Sequence, residues 1–456
     1  MLVIISDLHL TDGTSGQTIK THAFKIFRER LRDAAYEASW RQGGKYRPIS
    51  ELHLVLLGDI LDVIRSTKWL DGPGVRPWDN PQSPPFVAMV KNINDAILKH
   101  NAHSLDVLKS LNDGKTITLP PVAADGTPAK VGYEPGAEGR VPVEVKIHYL
   151  VGNHDWFYHL PGAPYNPIRQ SVVQALGLAN PPDAPFPHDP SESGVVSQVY
   201  AEHQVFARHG DIFDPFNFDH DRDASSLGDA IVVELLNRFP DVVRQQLGGE
   251  LPPECTAGLK EIDNVRPLLL VPVWINGSLR RTCPDQSVQK KVKKIWDELA
   301  ETFLRLAFVR GHDSLFNLFE TVDKLEWALK FSRGVSLSGL SRLLSWVRDK
   351  AVSREAAFYP NAFTEAAFKN RTARFIVYGH THHHEIVPLD SAAMASGIVN
   401  QLYLNSGTWR RVHELARLNP DEQEFMGYHV MTYLAFYSGD ERGGRPFEAW
   451  SGALGV

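Results

Sequence analysis

Leu2-Val3-Ile4-Ile5-Ser6-Asp7-Leu8-His9 is a short, partly β-branched apolar run that breaks into a polar block carrying a carboxylate and an imidazole. The same grammar recurs along the chain. Leu54-Val55-Leu56-Leu57 leads into Gly58-Asp59-Ile60-Leu61-Asp62, and His148-Tyr149-Leu150-Val151 leads into Gly152-Asn153-His154-Asp155. Val205-Phe206-Ala207 precedes His209-Gly210-Asp211, and Phe375-Ile376-Val377-Tyr378 precedes Gly379-His380-Thr381-His382. A sixth block, Asn405-Ser406-Gly407, closes the strand-like Gln401-Leu402-Tyr403-Leu404. Such runs suit interior strands of a sheet covered on both faces. Open α/β sheets bind ligands at the carboxyl ends of their strands, so the blocks are expected to converge on one sheet edge. Core packing offers no reason for so many polar strand ends.

The donor types fit that convergence. Asp7 and His9 are two apart, so on an extended strand they would face one side and hold one ion together. Asp59 has two carboxylate oxygens and could bridge two ions. Asn153 offers a neutral carbonyl oxygen, and His209, His380 and His382 offer ring nitrogens. No cysteine occurs in any block. This set suits Mn²⁺, Fe or Zn²⁺, with Mn²⁺ expected first, and is too rich in nitrogen for Ca²⁺. Two divalent ions roughly 3.5–4 Å apart would activate a bridging water and clamp a phosphoryl group in line with it. Hydrolysis at phosphorus is the expected chemistry.

With these blocks in this order, the chain resembles the calcineurin-like metallophosphoesterases, whose motifs are Asp-x-His, Gly-Asp-x-x-Asp, Gly-Asn-His-Asp/Glu, a lone His and Gly-His-x-His. The resemblance covers roughly residues 1–65, 146–215 and 370–411. It implies a four-layer α/β/β/α sandwich of two mixed sheets with the ions at one edge. By position it implies that Asp7, His9, Asp59 and His382 hold one ion, and that Asp59, Asn153, His209 and His380 hold the other. A hydroxide bridging the ions would attack phosphorus. His154 matches the family's non-ligand histidine, which contacts the phosphoryl group and protonates the leaving group, and Asp62 matches the acid that orients it. A His beside an Asp is also what general-acid work near neutral pH needs. Ser6-Asp7-Leu8-His9-Leu10, His209-Gly210-Asp211 and Gly379-His380-Thr381-His382 look most like the UDP-2,3-diacylglucosamine pyrophosphohydrolase branch. That branch usually carries Arg where this chain has His154, and it is about half as long.

The 456 residues are expected to divide into a core in two parts, 1–214 and 371–456, with a loop-rich insertion at 66–145 and a helical cap insertion at 215–370. Asp71-Gly72-Pro73-Gly74 and the Pro120 to Gly139 stretch read as loops. Phe86 to Leu111 has helical spacing and is placed over the mouth of the site. In the cap, Ser226 should start a helix that Pro240 stops. Val288, Val292, Ile295, Trp296, Leu299, Phe303 and Leu306 form a second stripe, and Leu340, Leu343, Leu344 and Val347 a third. Arg280, Arg281, Lys290, Lys291, Lys293 and Lys294 read as a solvated helix face. The sharper reading is an anion site or a peripheral membrane contact, because the Leu268 to Trp274 run is strongly apolar.

A formal net charge of −6 gives no general attraction for nucleic acid. Cys255 and Cys283 are expected to be reduced thiols. The chain enters its first strand at once and has no long apolar stretch, so a cytoplasmic protein is expected. Among further candidates, Arg65 could contact a phosphate, and Trp156 and Tyr158 could line a substrate pocket or simply pack. Asp155 and Asp211 are placed as carboxylates that orient ligating imidazoles. His383 and His384 are expected at the surface or behind the ligands. Three functions stay in view: a phosphoesterase acting on a small phosphodiester, phosphomonoester or pyrophosphate such as a nucleotide or nucleotide sugar; a nuclease; and a non-catalytic scaffold.

Overall fold

The expected strands form where the apolar runs lie. In the computed structural model, which describes residues 1–72, 74–266, 270–315, 358–394, 397–416, 418 and 424–454, they are β1 (Leu2–Ile5), β2 (Glu51–Leu57), β3 (Glu144–Leu150), β4 (Val205–Ala207) and β5 (Phe375–Tyr378). Further strands are β6 (His384–Met394), β7 (Gly397–Ser406), β8 (Arg411–Leu415), β9 (Phe425–Phe436) and β10 (Phe447–Leu454). One seven-stranded sheet runs β3-β2-β1-β9-β8 and then Val265–Arg266, with β10 also paired to β9. Its β1, β2 and β3 are parallel, and β9 runs antiparallel to β1. A four-stranded sheet runs β4-β5-β7-β6, parallel except for its edge strand β6. The chain is therefore a mixed α/β protein with mixed sheets.

Alternation along the strands sorts the core. Leu2, Ile4, Val55 and Leu57 of the first sheet share one buried cluster with Val205, Phe375, Val377 and Leu404 of the second. Their neighbours Val3, Ile5, Leu54 and Leu56 point the other way, as a period of two requires. These pack with Phe24, Phe27 and Leu31 of α1 (Thr21–Ala38). On the second sheet, Ile376, Tyr378 and Tyr403 turn to a third cluster that includes Ala362.

The stretch from 66 to 145 is more ordered than a loop. It holds α2 (Pro84–His100), α3 (Ala102–Lys109) and a small ribbon of Thr118–Leu119 with Val141–Pro142. The helix expected from Phe86 to Leu111 is broken at Asn101, whose amide donates to the Ile97 and Thr11 carbonyls, each at 2.8 Å. Phe86, Val90, Ile93 and Ile97 are fully buried in the cluster shared with Val3 and α1. The apolar stripe thus packs on the outer side of the first sheet and does not cover the site.

In the second insertion, Ser226 caps α4 (Leu227–Ile231) through a capping box with Asp229. The expected stop at Pro240 does not occur. A π-helical segment, Val232–Asn237, carries the chain into α5 (Arg238–Leu247), and Pro240 falls in the first turn of α5, where a missing N–H costs little. After α6 (Pro253–Leu259) and α7 (Val271–Thr282), α8 (Gln286–Leu304) buries Val288, Val292, Ile295, Trp296 and Phe303. These side chains belong to the same apolar cluster as Val3 and Ile5. Of the apolar run at Leu268, the described residues Val271, Val273 and Trp274 face inward, so they offer no lipid-facing surface. Leu268 and Leu269, like the stripe at Leu340 to Val347, lie outside the described residues. Lys291 pairs with Glu250 and Lys294 with Glu298, as on a solvated face. Cys255 and Cys283 are buried free thiols. No helix among the described residues is long and apolar enough to cross a membrane.

Candidate metal centre

The polar blocks meet, but not by strand alternation. β1 ends at Ile5, and Asp7 and His9 lie beyond it with φ of 53° and 45°. Asp59 (56°), His380 (66°) and His382 (60°) share this left-handed backbone. Non-glycine residues rarely adopt it, and such strain persists only where surrounding structure fixes it. Here the fixing groups are visible. Asp7 N–H donates to the Gly58 carbonyl at 3.1 Å and His9 N–H to the Asp59 carbonyl at 2.9 Å. His380 N–H donates to Asp7 Oδ2 at 3.1 Å, and His154 N–H to Asp59 Oδ1 at 2.8 Å. The sixth block braces the assembly: Asn405 Nδ2 donates to the Gly379 carbonyl at 2.8 Å, and Thr408 Oγ1 donates to the Asp7 carbonyl at 2.8 Å.

Two glycines are required by close approach. A Cβ on Gly152 would lie 2.4 Å from Asp59 Oδ1, and one on Gly379 would lie 2.7 Å from Asp7 Oδ2. Each block's glycine makes room for a carboxylate contributed by another strand.

Two groups of donors result. Asp7, His9, Asp59 and His382 bring their ligand atoms within 4.8 Å of one another, as do Asp59, His209 and His380. In the first, His9 Nε2 is 2.9 Å from His382 Nε2, and His382 Nε2 is 3.3 Å from Asp7 Oδ1. In the second, Asn153 Oδ1 is 3.2 Å from His209 Nε2 and 3.0 Å from His380 Nδ1. Asp59 Oδ2 lies 3.6 Å from His9 Nε2 and 3.2 Å from His209 Nε2, so it faces both groups. Donors bound to one cation at about 2.1 Å stand roughly 3.0–3.4 Å apart, as polyhedron edges demand. Asp7 Oδ1 is also buried with no hydrogen-bond donor, an orphan that a cation would satisfy. The buried His and Asp side chains can therefore hold a metal ion.

The ring nitrogens that face away from these groups are held in place. His9 Nδ1 meets Asp62 Oδ2 at 2.7 Å, His209 Nδ1 meets the Leu57 carbonyl at 2.9 Å, and His380 Nε2 meets Asp214 Oδ2 at 3.0 Å. Such partners fix the tautomer and aim the other nitrogen inward. Asp62 does this twice, since its Oδ1 is 2.8 Å from His154 Nδ1. His154 is partly open to solvent and edge-on to His9, with ring centroids 4.7 Å apart.

The protein's own charges polarise the site. Burial disfavours the His154 imidazolium, but Asp62 and Asp59 outweigh it and raise the pKa to about 9. Burial would raise Asp59, yet His209 and His154 overcome it and hold the carboxyl at about 2. Asp7 is pushed up to about 6 by burial, with the Asp59 charge adding to it and His209 opposing. Burial, then the positive charge of Arg410, keeps the His9 ring neutral, as a ligand must be.

Several expected roles do not match the geometry. Asp155 touches no imidazole. Its carboxylate accepts from Gly152 N–H at 2.6 Å, Ile60 N–H at 2.9 Å and Tyr149 O–H at 2.6 Å, and so ties two strand ends together. Asp211 is engaged by Arg222 at 2.5 Å, because the His209 nitrogen it would have oriented is taken by the Leu57 carbonyl. Trp156 and Tyr158 are core residues: Trp156 Nε1 donates to Asp229 at 3.2 Å and Tyr158 O–H to Asn94 at 2.9 Å. Arg65 is buried, donates its backbone N–H to Asp62 Oδ1 at 3.0 Å and sets its guanidinium on Asp263 at 3.1 Å. His383 is exposed, and His384 Nδ1 lies 2.9 Å from the Asn405 carbonyl. The sequence reading missed Asp214 and Asn217, which follow the His209 block; Asn153 Nδ2 donates to Asn217 Oδ1 at 3.1 Å and Asn217 Nδ2 to Asp214 at 2.7 Å. The available signal was an acid within a few residues of a candidate ligand. No protein-family model matches the chain, and no curated protein matches it.

Proposed function

We propose that this protein is a calcineurin-like metallophosphoesterase that hydrolyses a phosphodiester, phosphomonoester or pyrophosphate in a small substrate such as a nucleotide or nucleotide sugar. The reading takes the two sheets as the inner layers of an α/β/β/α sandwich, with the helices described between residues 227 and 315 as part of an inserted elaboration. It rests above all on Asp59, whose Oδ2 faces both donor groups at 3.6 and 3.2 Å. Only a carboxylate so placed can serve two ions at once.

Asp7, His9, Asp59 and His382 would hold one divalent ion, and Asp59, Asn153, His209 and His380 the other, with Mn²⁺ favoured over Fe and Zn²⁺ by the mixed oxygen and nitrogen set. Two such ions supply Lewis acidity and an activated water. The chain's own residues do the rest. Asp62 grips His154 Nδ1 and leaves Nε2 free to give a proton to the departing oxygen. In the metal-free protein Asp62 and Asp59 hold the His154 midpoint up at about 9, which favours the charged, proton-bearing ring. The same Asp62 aims His9, which couples the general acid to the first donor group.

The test is hydrolysis of bis-p-nitrophenyl phosphate by chelator-stripped protein before and after Mn²⁺ is added. Release of p-nitrophenol that requires Mn²⁺ supports the proposal. Two ions bound with no cleavage of this diester, of p-nitrophenyl phosphate or of a nucleotide sugar, the last followed by release of its nucleotide, would overturn it.

A further inference from the structure

A cavity of about 250 Å³ is lined by Thr14, Ser15, Arg65, Thr67, Arg244, Lys260 and Asp263, among others. It is smaller than the roughly 300–1,000 Å³ of sites for drug-sized ligands, a size suited to a compact ion. Arg65 ties it to the His154 dyad, because its backbone N–H is fixed on Asp62 while its guanidinium rests on Asp263.

The charge around this cavity is not balanced. Asp263 is shared by Arg65 at 3.1 Å and by Arg410 at 2.7 Å. Asp241 is engaged by Arg244, and among the described residues no carboxylate pairs with Lys260. Glu261 does not line the cavity, accepting from Gln17 N–H at 2.9 Å and from Asn264 Nδ2 at 2.6 Å, although its charge adds to the negative field on Arg65. Asp62 is spent on His9 and His154. Of the residues that line the cavity, Arg65, Arg244 and Lys260 therefore face two carboxylates, Asp241 and Asp263, and Arg410 approaches Asp263 from outside the lining. Arg65 is 2 % exposed with its Nε on Asp263, while Arg410 Nη2 also reaches Asn264 Oδ1 and Arg410 Nη1 is buried without a hydrogen-bond acceptor. Burying two guanidinium groups around one acid is unfavourable unless a further anion completes the set. A guanidinium and an ammonium together recognise phosphate-type oxyanions, whereas the Thr14 and Ser15 hydroxyls already donate to Asp12 and to the Arg65 carbonyl.

The geometry points to an oxyanion-binding site in this cavity, separate from the metal donors, that takes a phosphate or diphosphate group. It stands whether or not the metal centre is hydrolytic. The site is tested by titrating inorganic pyrophosphate into chelator-stripped protein by calorimetry at low and moderate salt. The expected result is binding that weakens with salt and falls at least tenfold in an Arg244→Ala/Lys260→Ala variant whose Tm is unchanged. No binding to the native protein, or equal affinity in the variant, overturns the site. With Mn²⁺-loaded protein a second arm separates the source of the anion. A raised KM for a nucleoside diphosphate sugar, with bis-p-nitrophenyl phosphate unaffected, identifies the second phosphate of a substrate. Unchanged KM for both identifies free phosphate.

Discussion

Asp62→Asn keeps the shape of the residue that joins His9 to His154 and removes its charge. The rise of His154 from 6.5 to about 9 favours the imidazolium by about 3 kcal/mol net of burial. Asp62 is the leading charge behind that rise and the hydrogen-bond partner of Nδ1, with Asp59 second. Without it, Asp59 does little more than offset burial, and we expect the His154 midpoint to fall by about two pH units. At pH 8 a midpoint near 9 leaves about nine-tenths of the ring charged, and one near 7 about one-tenth. Protonation alone then costs roughly tenfold in rate at pH 8. Loss of ring orientation and of the His9 tautomer should bring the total to about 10²–10⁴-fold, the range for a disabled general acid. The sign is set by chemistry: the acid must be charged, so kcat/KM falls as pH rises through the midpoint, and the variant's limb lies at lower pH. Bound cations lower both midpoints, so the protonation cost at pH 8 then rises toward the roughly hundredfold set by a two-unit difference. The assay is the pH profile of bis-p-nitrophenyl phosphate hydrolysis, paired with an NMR titration of the His154 ring in stripped protein. Equal midpoints in the two proteins would refute the reasoning. By linkage, the stripped native protein should also lose stability as pH rises from 6.5 through about 9, where this stabilised charge is shed.

Other outcomes follow from single contacts. His154→Ala should retain both ions while cleavage slows by about 10²–10⁴-fold, and a better leaving group should restore part of the rate; no restoration would count against leaving-group protonation. Asp214→Asn frees His380 Nε2 from its carboxylate, so affinity for one of the two ions should drop about 10–100-fold by calorimetry while the other is kept. Tyr158→Phe removes a buried hydrogen bond to Asn94 and should cost about 1 kcal/mol in denaturant melts. Its KM should stay unchanged, and a shifted KM would return Tyr158 to the substrate site.

The sequence was most legible where local chemistry was unambiguous. Leu2–Ile5 and Phe375–Tyr378 are strands at the expected residues because uninterrupted apolar runs bounded by Gly and Asp have few alternatives. Their polar ends converge not on one sheet edge, as expected, but where two sheets meet, because Leu2, Ile4, Phe375 and Val377 share the buried cluster that joins them. The mechanism of convergence was not legible: left-handed φ at Asp7 and His9 is held by hydrogen bonds that their N–H groups donate to the Gly58 and Asp59 carbonyls, distant in sequence. For the same reason Asp155 was misplaced. A carboxylate beside a ligand looks like an imidazole partner until the Gly152 and Ile60 amides claim it. Pro240 misled because a stop signal presumes a regular helix, and a π-helical segment precedes it here. The buried pairing of Arg65 and Arg410 on Asp263 spans residues so far apart that no spacing could have announced it.

The most direct measurement titrates Mn²⁺ from zero to three equivalents into stripped protein, following bound metal and bis-p-nitrophenyl phosphate hydrolysis together, with Asp59→Asn alongside. The account predicts that two ions bind per chain, that cleavage rises as the second site fills, and that Asp59→Asn loses both metal affinity and cleavage. Normal metal binding and full activity in Asp59→Asn would contradict it, as would a native protein that cleaves the ester with no metal bound.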